Sequence, residues 1–257
     1  MKSNTLEARN MAAYRLVWFQ HLHKAAGTYI IRRALANDEK FYDKHENGNP
    51  CDENGVIPLW EMNSNELTSF IDGCEQKGVT FVAIEWGSPD FSVLANDPRV
   101  SLLTCLRDPL KRLISNYNYD HYWMWTKAAN YSEYLSEGHV HSSPEYYTRV
   151  FSRKYDSSQE VGPLDLEVAK ANIALFDNVI IAESGMEILE ELGWSKESDT
   201  IHPTFGSKMR ALHLLRKLRF KRLWNYLCKT KHLPPEDYDF KGENQFDITI
   251  YENLKKN

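Results

Sequence analysis

Residues 15–36, RLVWFQHLHKAAGTYIIRRALA, constrain the fold of this chain more than any other stretch. An apolar run at residues 16–19 becomes polar at Gln20, and small residues then lead into a helix-like pattern that starts near Thr28. This order predicts a buried strand, a tight loop and a helix. Small residues let a backbone approach an anion closely, and the first N–H groups of a helix point at it. The layout therefore suits phosphate, although an ordinary strand–helix connection has the same pattern and the string Gly-x-x-x-x-Gly-Lys-Ser/Thr is absent.

Further apolar runs alternate with helical patterns along the rest of the chain. The runs with the composition of buried strands lie at residues 79–84, 100–106 and 179–182. This alternation predicts an α/β fold with a central, mainly parallel sheet flanked by helices, in a single domain over residues 1–257. Ligands of such sheets lie at the carboxyl ends of the strands. The loops expected to share that edge are at residues 20–28, 85–89 and 107–109.

Local signals predict several other elements. Asn63, followed three residues later by Glu66, resembles a capping box, so we expect a helix that runs to about Gln76 and ends at Gly78. Residues 41–58 are rich in Asn, Asp, Gly and Pro and are predicted to form a surface loop. Further helices are expected at residues 109–125, 164–176, 185–192 and 246–254.

The composition is typical of a globular protein. With 42% hydrophobic and 26% charged residues, the 257-residue chain can bury a sizeable core. No window approaches the roughly 20 apolar residues of a membrane span. The first 15 residues lack the apolar core of a signal peptide, so we expect a cytoplasmic protein with no transmembrane segment. The four cysteines form no Cys-x-x-Cys pair and indicate neither zinc nor a disulfide framework. Nothing in the sequence predicts the oligomeric state.

Charge is unevenly distributed along the chain. The formal net charge is −5, yet residues 201–232 contribute nine Lys and Arg and no acid, which leaves −14 elsewhere. The acidic remainder argues against a nucleic-acid partner. Residues 209–231 are predicted to be helical, with leucines and a tryptophan among the charges. Three interpretations of this stretch stay open: a solvated amphipathic helix, a lid over an anionic ligand, and a contact with acidic lipid.

A second segment, LLTCLRDPLKRLISNYNYD at residues 102–120, places Arg107 directly after a predicted strand. A guanidinium group there offers a permanently charged, fork-shaped grip on a phosphate. Ser115 follows eight residues later, about two helical turns on, so its hydroxyl is expected to face the same oxygens. Taken alone, the segment has a simpler interpretation, in which Arg107 pairs with a carboxylate and Ser115 is solvated.

Together the two segments resemble the nucleotide-binding signatures of sulfotransferases that use 3′-phosphoadenosine 5′-phosphosulfate (PAPS). The resemblance is to the branch with the heparan 2-O- and 6-O-sulfotransferases and their bacterial relatives. The first loop of that branch reads His-Ile-Pro-Lys-Thr-Gly-Gly-Thr/Ser, where this chain has HLHKAAGT at residues 21–28. Its second motif, Arg-Asp-Pro-x-x-Arg-x-x-Ser, matches residues 107–115. His23, Ala25 and Ala26 depart from the pattern, and alanine does not reach positive φ at low cost.

The resemblance implies a P-loop-like sulfotransferase fold that binds PAPS and releases 3′-phosphoadenosine 5′-phosphate (PAP). Lys24 is implied to touch the oxygen between phosphate and sulfate, where negative charge grows in the transition state. Thr28 and the loop N–H groups are implied to hold the 5′-phosphate, and Arg107 and Ser115 the 3′-phosphate. Residues 202–208 match a loop over the nucleotide, whereas Tyr29 either assists or packs. The implied cofactor-binding residues are Lys24, Ala25, Ala26, Gly27, Thr28, Tyr29, Arg107, Ser115, Ser207 and Lys208.

Sulfuryl transfer needs a base that takes the proton of the attacking hydroxyl or amine. The family carries a His or Glu just after the strand that precedes the Arg-containing strand, and Glu85 occupies that place. Alternatively, Glu85 forms a strand-end salt bridge, for example with Lys24. His21 matches a histidine of the family's first loop and is the rival base, or else an orienting or core residue. Glu85, Lys24 and His21 are the predicted catalytic residues, and no metal is implied.

Residues 116–147 are dense in aromatic side chains, most of which we expect in the core. A few are predicted to line an acceptor pocket together with the residue after Glu85. The predicted acceptor-binding residues are Trp86, Tyr119, His121, Tyr122 and Trp123. Because the acidic remainder disfavours a long polyanionic glycan, we expect a small-molecule acceptor, cationic or polycyclic, and a natural-product tailoring enzyme. A carbohydrate O-sulfotransferase is the alternative, followed by a nucleotide-binding protein without catalysis. A kinase would need Mg²⁺ ligands and a Gly-Lys-Ser/Thr loop, and neither is evident.

Overall fold

A computed structural model describes residues 14–197 and 206–256 of the chain. The strands in these residues are β1 (Leu16–Gln20), β2 (His45–Glu46), β3 (Asn49–Pro50), β4 (Phe81–Ile84), β5 (Val100–Leu106) and β6 (Asn178–Ile181). Four of them form the central sheet in the order β4, β1, β5, β6, and every neighbouring pair is parallel. Strands β2 and β3 form a separate antiparallel hairpin.

Helices connect the strands of the sheet and flank it. They are α1 (Gly27–Ala36), α2 (Ser64–Lys77), α3 (Phe91–Asn96), α4 (Pro109–Trp123), α5 (Tyr131–Ser136), α6 (Tyr146–Phe151), α7 (Pro163–Ile173), α8 (Ile188–Glu191), α9 (Lys208–Arg216), α10 (Phe220–Leu227), α11 (Phe240–Glu243) and α12 (Gln245–Lys255). A 3₁₀ helix spans Val140–Ser142. The predicted α/β class, with a parallel sheet flanked by helices, is confirmed. Within the described ranges no helix is both long and apolar enough to span a bilayer.

Both faces of the sheet are covered, which explains why its strands read as continuous apolar runs rather than alternating ones. In β1, Leu16 and Trp18 join one core cluster, which includes side chains of α2, α6 and α7. Val17 and Phe19 point to the opposite face and pack in a second cluster with α1. Successive strand residues face opposite sides, so every residue of β1 is buried.

The register of the sheet brings three strand ends together. Gln20, the last residue of β1, lies opposite Ile84, the last residue of β4, and opposite Thr104 of β5. Strand β5 ends two residues later, at Leu106. The loops after β1, β4 and β5 therefore leave the same edge of the sheet, as the sequence predicted.

The predicted capping box at the start of α2 is confirmed. The Asn63 side chain accepts hydrogen bonds from the N–H groups of Asn65 and Glu66, and the Glu66 carboxylate accepts one from the Asn63 N–H. Gly78 ends the helix with φ of 66°, a left-handed conformation that glycine adopts without steric cost. The helix ends at Lys77, one residue later than predicted.

Residues 41–58 differ from the prediction of a surface loop. They contain the β2–β3 hairpin, and the Gly48 carbonyl accepts a hydrogen bond from the Ala83 N–H of β4. Asn and Gly favour left-handed turns, and here Asn47 and Gly48, both at positive φ, form the hairpin turn. The turn residues therefore belong to a hairpin that packs on the β4 edge of the sheet, not to an irregular loop.

Several predicted helices end earlier than expected, and within residues 185–192 only α8 is helical. Four short helices formed where no helix was predicted, namely α3, α5, α6 and α11. The basic stretch 209–231 is two helices, α9 and α10, because the chain turns at Leu218 with φ of 53°. Residues 202–205 of the predicted nucleotide loop lie outside the described residues.

The ends of α6 and α12 are joined by two buried carboxylates. Glu145 accepts hydrogen bonds from the N–H groups of Phe246 and Asp247 in the first turn of α12. Asp247 accepts them in return from the N–H groups of Tyr147 and Thr148 in α6. Each carboxylate thus occupies the positive end of the other's helix. Burial, with the neighbouring Asp247 charge adding to it, raises the pKa of Glu145 above its ordinary value.

Candidate functional site

The loop between β1 and α1 has an unusual backbone. Lys24 has φ of 62° and Ala26 has φ of 63°, so two residues with side chains adopt the left-handed region. Each costs on the order of 1 kcal/mol, and such positions cluster at functional sites. The family loop that this segment resembles has glycine at position 26, and the structure shows that alanine takes up the left-handed conformation there. The unusual loop geometry is therefore reached without glycine.

The N-terminus of α1 is open to an anion. Ala26 precedes the helix and no side chain caps it, and the first turn holds no acidic residue. The unpaired N–H groups of a first turn, together with the helix dipole, attract negative charge. Gly27 is buried at this end and Thr28 is exposed beside it. The start of α1 is therefore suited to a phosphate group.

Gly27 is required by the side chain of His21. A Cβ atom built at Gly27 would lie 1.8 Å from Nε2 of His21, well inside any permitted contact. The His21 ring thus fills the place where another residue type would carry its side chain. His21 is buried and its ring stacks on Phe19, with 5.5 Å between the ring centres. Because Gly27 has no side chain, the His21 ring can pack directly against the loop.

Lys24 is the cation at the centre of this edge. Its ammonium nitrogen lies 3.6 Å from the centre of the Tyr119 ring, a cation–π contact. Burial lowers the pKa of Lys24 to about 8, an effect that Arg210 and Arg107 increase and that Asp120 and Glu85 oppose. An ammonium group in this position is incompletely neutralised by its surroundings, so an incoming anion would stabilise its charged form.

Arg107 links the end of β5 to the same loop. Its Nη1 donates a hydrogen bond to the Lys24 carbonyl at 3.3 Å. Its backbone is held by Tyr147, whose hydroxyl accepts from the Arg107 N–H at 3.1 Å and donates to the Arg107 carbonyl at 2.6 Å. The Glu183 carboxylate is 3.9 Å from Nε, too long for a direct hydrogen bond. The guanidinium therefore keeps donors available while its position is fixed.

Glu85 follows β4 and faces the His21 ring. Its Oε1 lies 3.6 Å from Nδ1 of His21 and 3.6 Å from Nε2 of His23. Asn47 of the hairpin approaches Oε2 at 3.4 Å, and Asn49 accepts a hydrogen bond from the Glu85 N–H at 2.8 Å. The backbone of Glu85 is thus firmly placed, whereas its carboxylate has only long contacts. A carboxylate in this state can accept a proton.

The two histidines beside Glu85 are held in their neutral forms. Burial lowers the pKa of His21, and it lowers the pKa of His23 well below the ordinary value, with nearby His141 adding to the effect. Nδ1 of His21 and Nε2 of His23 are buried without a hydrogen-bond partner among the described residues. The His23 ring stacks on His141 with 4.8 Å between centres. Neutral rings at this position can relay or orient a proton but do not add positive charge.

Asp120 of α4 completes the polar surroundings of Lys24. It accepts a hydrogen bond from the Tyr134 hydroxyl at 2.5 Å, and Nε2 of His141 is 3.6 Å from the same oxygen. Buried Arg210 of α9 stacks on Tyr119, with 5.2 Å from its central carbon to the ring centre. Two acids and two arginines therefore act on the ammonium group of Lys24. The acids raise its pKa and the arginines lower it, and burial lowers it most.

No family model and no curated protein matches the chain. Within residues 14–197 and 206–256, no three His, Cys, Asp or Glu side chains converge in a way that could hold a metal ion. A function must therefore be inferred from the geometry around Lys24, Arg107 and Glu85.

The predicted acceptor-binding residues separate into two groups. Trp86 is exposed and meets His23 edge-on at 5.1 Å, and Tyr119 lies under Lys24. Trp123 stacks against Arg210 at 4.5 Å, so these three residues lie along one side of the edge. The other two predicted residues, His121 and Tyr122, are not brought to this group.

His121 and Tyr122 point to another side of α4. The His121 ring packs against His232 at 4.5 Å, and burial lowers its pKa to about 4. The Tyr122 hydroxyl donates to the Thr230 carbonyl at 2.6 Å. Helical periodicity turns His121 away from Tyr119 and Trp123, which are four residues apart on one face, whereas Tyr122 packs toward Tyr226 and Leu214. Their environment is that of the contact between α4 and the segment after α10.

The structure does not bring all of the remaining predicted cofactor-binding residues to the edge of the sheet where Lys24 lies. Ser115 is half-buried on the second turn of α4, and Tyr29 accepts a hydrogen bond from Arg33 at 3.1 Å, as a packing residue does. Ser207 caps α9, since its side chain accepts from the Arg210 N–H, and Lys208 is exposed. The cluster at the edge thus consists of Lys24, residues 25–28 and Arg107, while a place for Ser115 and Ser207 beside it stays a prediction.

Sequence reasoning missed His23, His141, Asn47 and Arg210 as site residues. They come from the first loop, the 3₁₀ helix, the hairpin and α9, so their proximity depends on the fold. One signal was available for His23. It lies two residues after His21 in the same polar loop. In the structure the two rings are nearly parallel, at an angle of 10°.

Proposed function

We propose that this chain is a PAPS-dependent sulfotransferase with a P-loop-like sulfotransferase fold. The observation that supports this most is the hydrogen bond from Arg107 to the Lys24 carbonyl at 3.3 Å, beside the uncapped start of α1. It joins the two segments whose motifs resemble the family, although 83 residues separate them. Two cations and a helix N-terminus at one sheet edge suit a nucleotide with two separate phosphates.

The residues present fit the anionic parts of such a nucleotide. The N–H groups at the start of α1 and the Thr28 hydroxyl would hold the 5′-phosphate, and Arg107 the 3′-phosphate with Ser115. The incompletely neutralised ammonium group of Lys24 is consistent with this fit, because burial lowers its pKa and an anion would raise it again. Ala26, directly before that end of the helix, has the left-handed conformation.

When bound, PAPS would supply the sulfuryl group and a phosphate leaving group. Lys24 would stabilise the negative charge that grows on the departing oxygen, and this effect is largest in the transition state. The Glu85 carboxylate would accept the proton of the attacking hydroxyl or amine as the new oxygen–sulfur or nitrogen–sulfur bond forms. His21 would orient Glu85 through Nδ1, which faces the carboxylate at 3.6 Å. The transfer would be direct and in line.

His21 remains the rival base in this proposal. Burial lowers the pKa of His21, which favours the neutral ring but also weakens it as a base. Its burial under Gly27 argues for the orienting role, because a substrate hydroxyl must reach the base directly or through one water. Glu85 has the more open carboxylate, with about 16% of its side chain exposed.

The acceptor that we propose is a small natural-product molecule with a hydroxyl or amine. Trp86, Tyr119 and Trp123 present aromatic rings along the edge beside Lys24 and Arg210. Rings of this kind bind flat or polycyclic molecules, and Glu85 and Asp120 would favour a cationic one.

The cofactor is tested by calorimetric titration with PAP, beside 5′-AMP and ATP with Mg²⁺. We expect PAP to bind most tightly and Arg107→Ala to weaken it by about 10- to 100-fold, because a charged hydrogen-bond donor is lost. Arg15→Ala is the matched control, since Arg15 pairs with Glu39 before the first residue of β1, at the opposite end of the sheet. Equal binding of 5′-AMP, or preference for ATP with Mg²⁺, would contradict the proposal.

Turnover is tested with labelled PAPS and a panel of hydroxyl and amine acceptors. We expect Glu85→Gln to keep PAP affinity within about twofold and to lose most of the rate, because the base contributes typically 10²- to 10⁴-fold. A chain that binds PAP but turns over none of the acceptors would be a nucleotide-binding protein without catalysis, whereas a Glu85→Gln variant with wild-type turnover would assign the base to His21.

A further inference from the structure

Helices α9 and α10 form a hairpin whose outer side is apolar. Large hydrophobic side chains that are normally buried are exposed along it. They are Met209, Leu212, Leu215, Leu218, Phe220, Trp224 and Leu227. So many exposed large hydrophobic side chains within two consecutive helices are typical of a surface that binds a partner or a membrane.

The apolar stripe is most regular on α10. Phe220, Trp224 and Leu227 lie at positions i, i+4 and i+7, so they share one face, and they are 61%, 68% and 60% exposed. The neighbouring part of the same apolar arc faces inward, where Leu223 and buried Tyr226 pack beside Tyr122. The helix is thus anchored by one part of its apolar surface while the other part faces outward.

The hairpin is fixed to the body of the protein, so its outer face keeps its orientation. Arg222 donates hydrogen bonds to the carbonyls of His121 and Thr126 at 3.0 and 3.2 Å. The Ser207 N–H donates to the Tyr226 hydroxyl at 2.7 Å and so joins the start of α9 to α10. The hairpin therefore cannot turn its exposed apolar side chains inward without breaking these hydrogen bonds.

Positive charge surrounds the stripe. The exposed basic residues of the hairpin and the segment after it are Lys208, Arg216, Lys217, Arg219, Lys221, Lys229 and Lys231. Residues 201–232 contain no acid, although the rest of the chain carries a formal charge of −14 against a total of −5. Lys217 and Arg219 lie in the turn between the helices, directly before Phe220.

We propose that the outer face of the α9–α10 hairpin binds the surface of an anionic lipid bilayer. Phe220, Trp224 and Leu227 would enter the interface between headgroups and acyl chains, and the surrounding Lys and Arg would contact acidic headgroups. A tryptophan in the stripe suits this depth, because its ring is apolar and its N–H is polar. The inference does not depend on the proposed sulfotransferase activity.

Other occupants leave part of this surface unmatched. A nucleic acid would neutralise the basic residues but leave the three apolar side chains of α10 in water. A second copy docked by two-fold symmetry would bury the apolar stripe but place like charges opposite each other. An acidic region of another copy would leave the apolar side chains against polar groups. An anionic bilayer matches both the charge and the apolar stripe.

The test is co-sedimentation of the chain of residues 1–257 with two kinds of vesicle. One contains phosphatidylcholine alone, and in the other about one lipid in three is phosphatidylglycerol. We expect binding to the anionic vesicles to be at least about tenfold stronger and to weaken as salt is added, because charges near a surface are screened. Equal binding to both vesicles, or none to the anionic ones, would overturn the proposal.

Paired variants test the residues. Phe220→Ser with Trp224→Ser, and separately Lys217→Glu with Arg219→Glu, should each reduce binding to anionic vesicles by about tenfold or more. The matched controls are Leu164→Ser, at an 82% exposed leucine of α7, and Lys241→Glu, at an exposed lysine of α11. They should bind as wild type. Variants that retain wild-type binding, or controls that lose it equally, would show that this face is not the contact.

A second measurement keeps the apolar side chains of the hairpin unchanged, so it still tests the proposal if a variant fails to fold. Cys228 directly follows α10 and is exposed, whereas Cys74 and Cys105 are buried. An environment-sensitive dye on Cys228, in a chain with Cys51→Ser, should shift to the blue with anionic vesicles only. No shift would overturn the proposal. So would sedimentation equilibrium that shows a lipid-free dimer which Trp224→Ser dissociates, because the stripe would then bind a second copy.

Discussion

The ammonium group of Lys24 lies 3.6 Å above the centre of the Tyr119 ring, and Arg210 stacks on the same ring at 5.2 Å. One aromatic side chain thus supports two cations that come from distant segments. The negative face of the ring attracts both, while their mutual repulsion contributes to the lowered pKa of Lys24. This arrangement has consequences for affinity and for stability that can be measured separately.

The affinity for PAP should fall as the pH rises above about 8. Burial lowers the pKa of Lys24 to about 8, so above that pH the free protein must take up a proton to present a cation. The charge of the phosphates changes little there, since their second pKa is about 6. We expect a loss of up to about tenfold per pH unit in calorimetric titrations. Lys24→Arg should flatten this profile, because arginine stays charged, and an unchanged slope in that variant would exclude Lys24 as the titrating group.

Replacing Lys24 by an uncharged side chain should stabilise the fold near neutral pH. The folded-state pKa of Lys24 is lowered, so its charged form destabilises the folded state below about pH 8, and this cost disappears as the pH rises toward 10.5. Lys24→Met should therefore raise the free energy of unfolding at pH 7 by up to about 3 kcal/mol. The gain should shrink above pH 8 in urea unfolding experiments. A gain that is constant with pH would contradict this origin.

Gly27→Ala should displace the His21 ring and destabilise the protein. The new Cβ would lie 1.8 Å from Nε2 of His21, and overpacking of this kind costs typically about 1–3 kcal/mol. Gly73→Ala is the control, because Gly73 lies within α2 and a Cβ there meets nothing within 4 Å. That change should stabilise by about 0.5–1 kcal/mol. Thermal unfolding compares the two, and a harmless Gly27→Ala would show that the His21 ring is not held there.

The Glu145–Asp247 pair should make stability fall as the pH rises toward neutrality. Burial and the Asp247 charge raise the pKa of Glu145, so the folded state binds more protons than the unfolded state above the ordinary range of a glutamate. Glu145→Gln removes this titration. The difference in unfolding free energy between variant and wild type should therefore shift in favour of the variant as the pH increases. Unfolding by urea across this range measures it, and a parallel pair of profiles would contradict the prediction.

The sheet could be predicted from sequence because its signal is local. Strand β5 was predicted with its observed limits, since a strand that is buried on both faces is a continuous apolar run. The capping box at Asn63 is likewise set by residues three apart. The hairpin in residues 41–58 was missed because short strands with exposed residues lack that run, and only Asn47 and Gly48 marked the turn.

The site was predicted in part, and for a different reason. Arg107 and Glu85 directly follow strands and Lys24 lies in the loop after β1, and parallel strands bring such positions to one edge. Their roles came from the resemblance of the two segments to sulfotransferases. The contacts of Glu85 with Asn47 and His23, and of Lys24 with Tyr119, depend on how loops and helices pack above that edge. No spacing in the sequence encodes those distances. His121 and Tyr122 were grouped with Tyr119 because they are near it in sequence, although the period of the predicted helix already places His121 on another face.

The β2–β3 hairpin gives the candidate site two parts that can change independently. Lys24 and Arg107 lie in the loops that follow β1 and β5 of the central sheet, and Gly27 begins the first helix. Asn47 and Asn49 contact Glu85 from the hairpin instead, outside the central sheet. Under the sulfotransferase function that we propose, exchanging hairpin residues would accommodate other acceptors and leave the nucleotide end unchanged. Among chains built on this plan, we expect the hairpin to diverge fastest and the loop at His21 to change least.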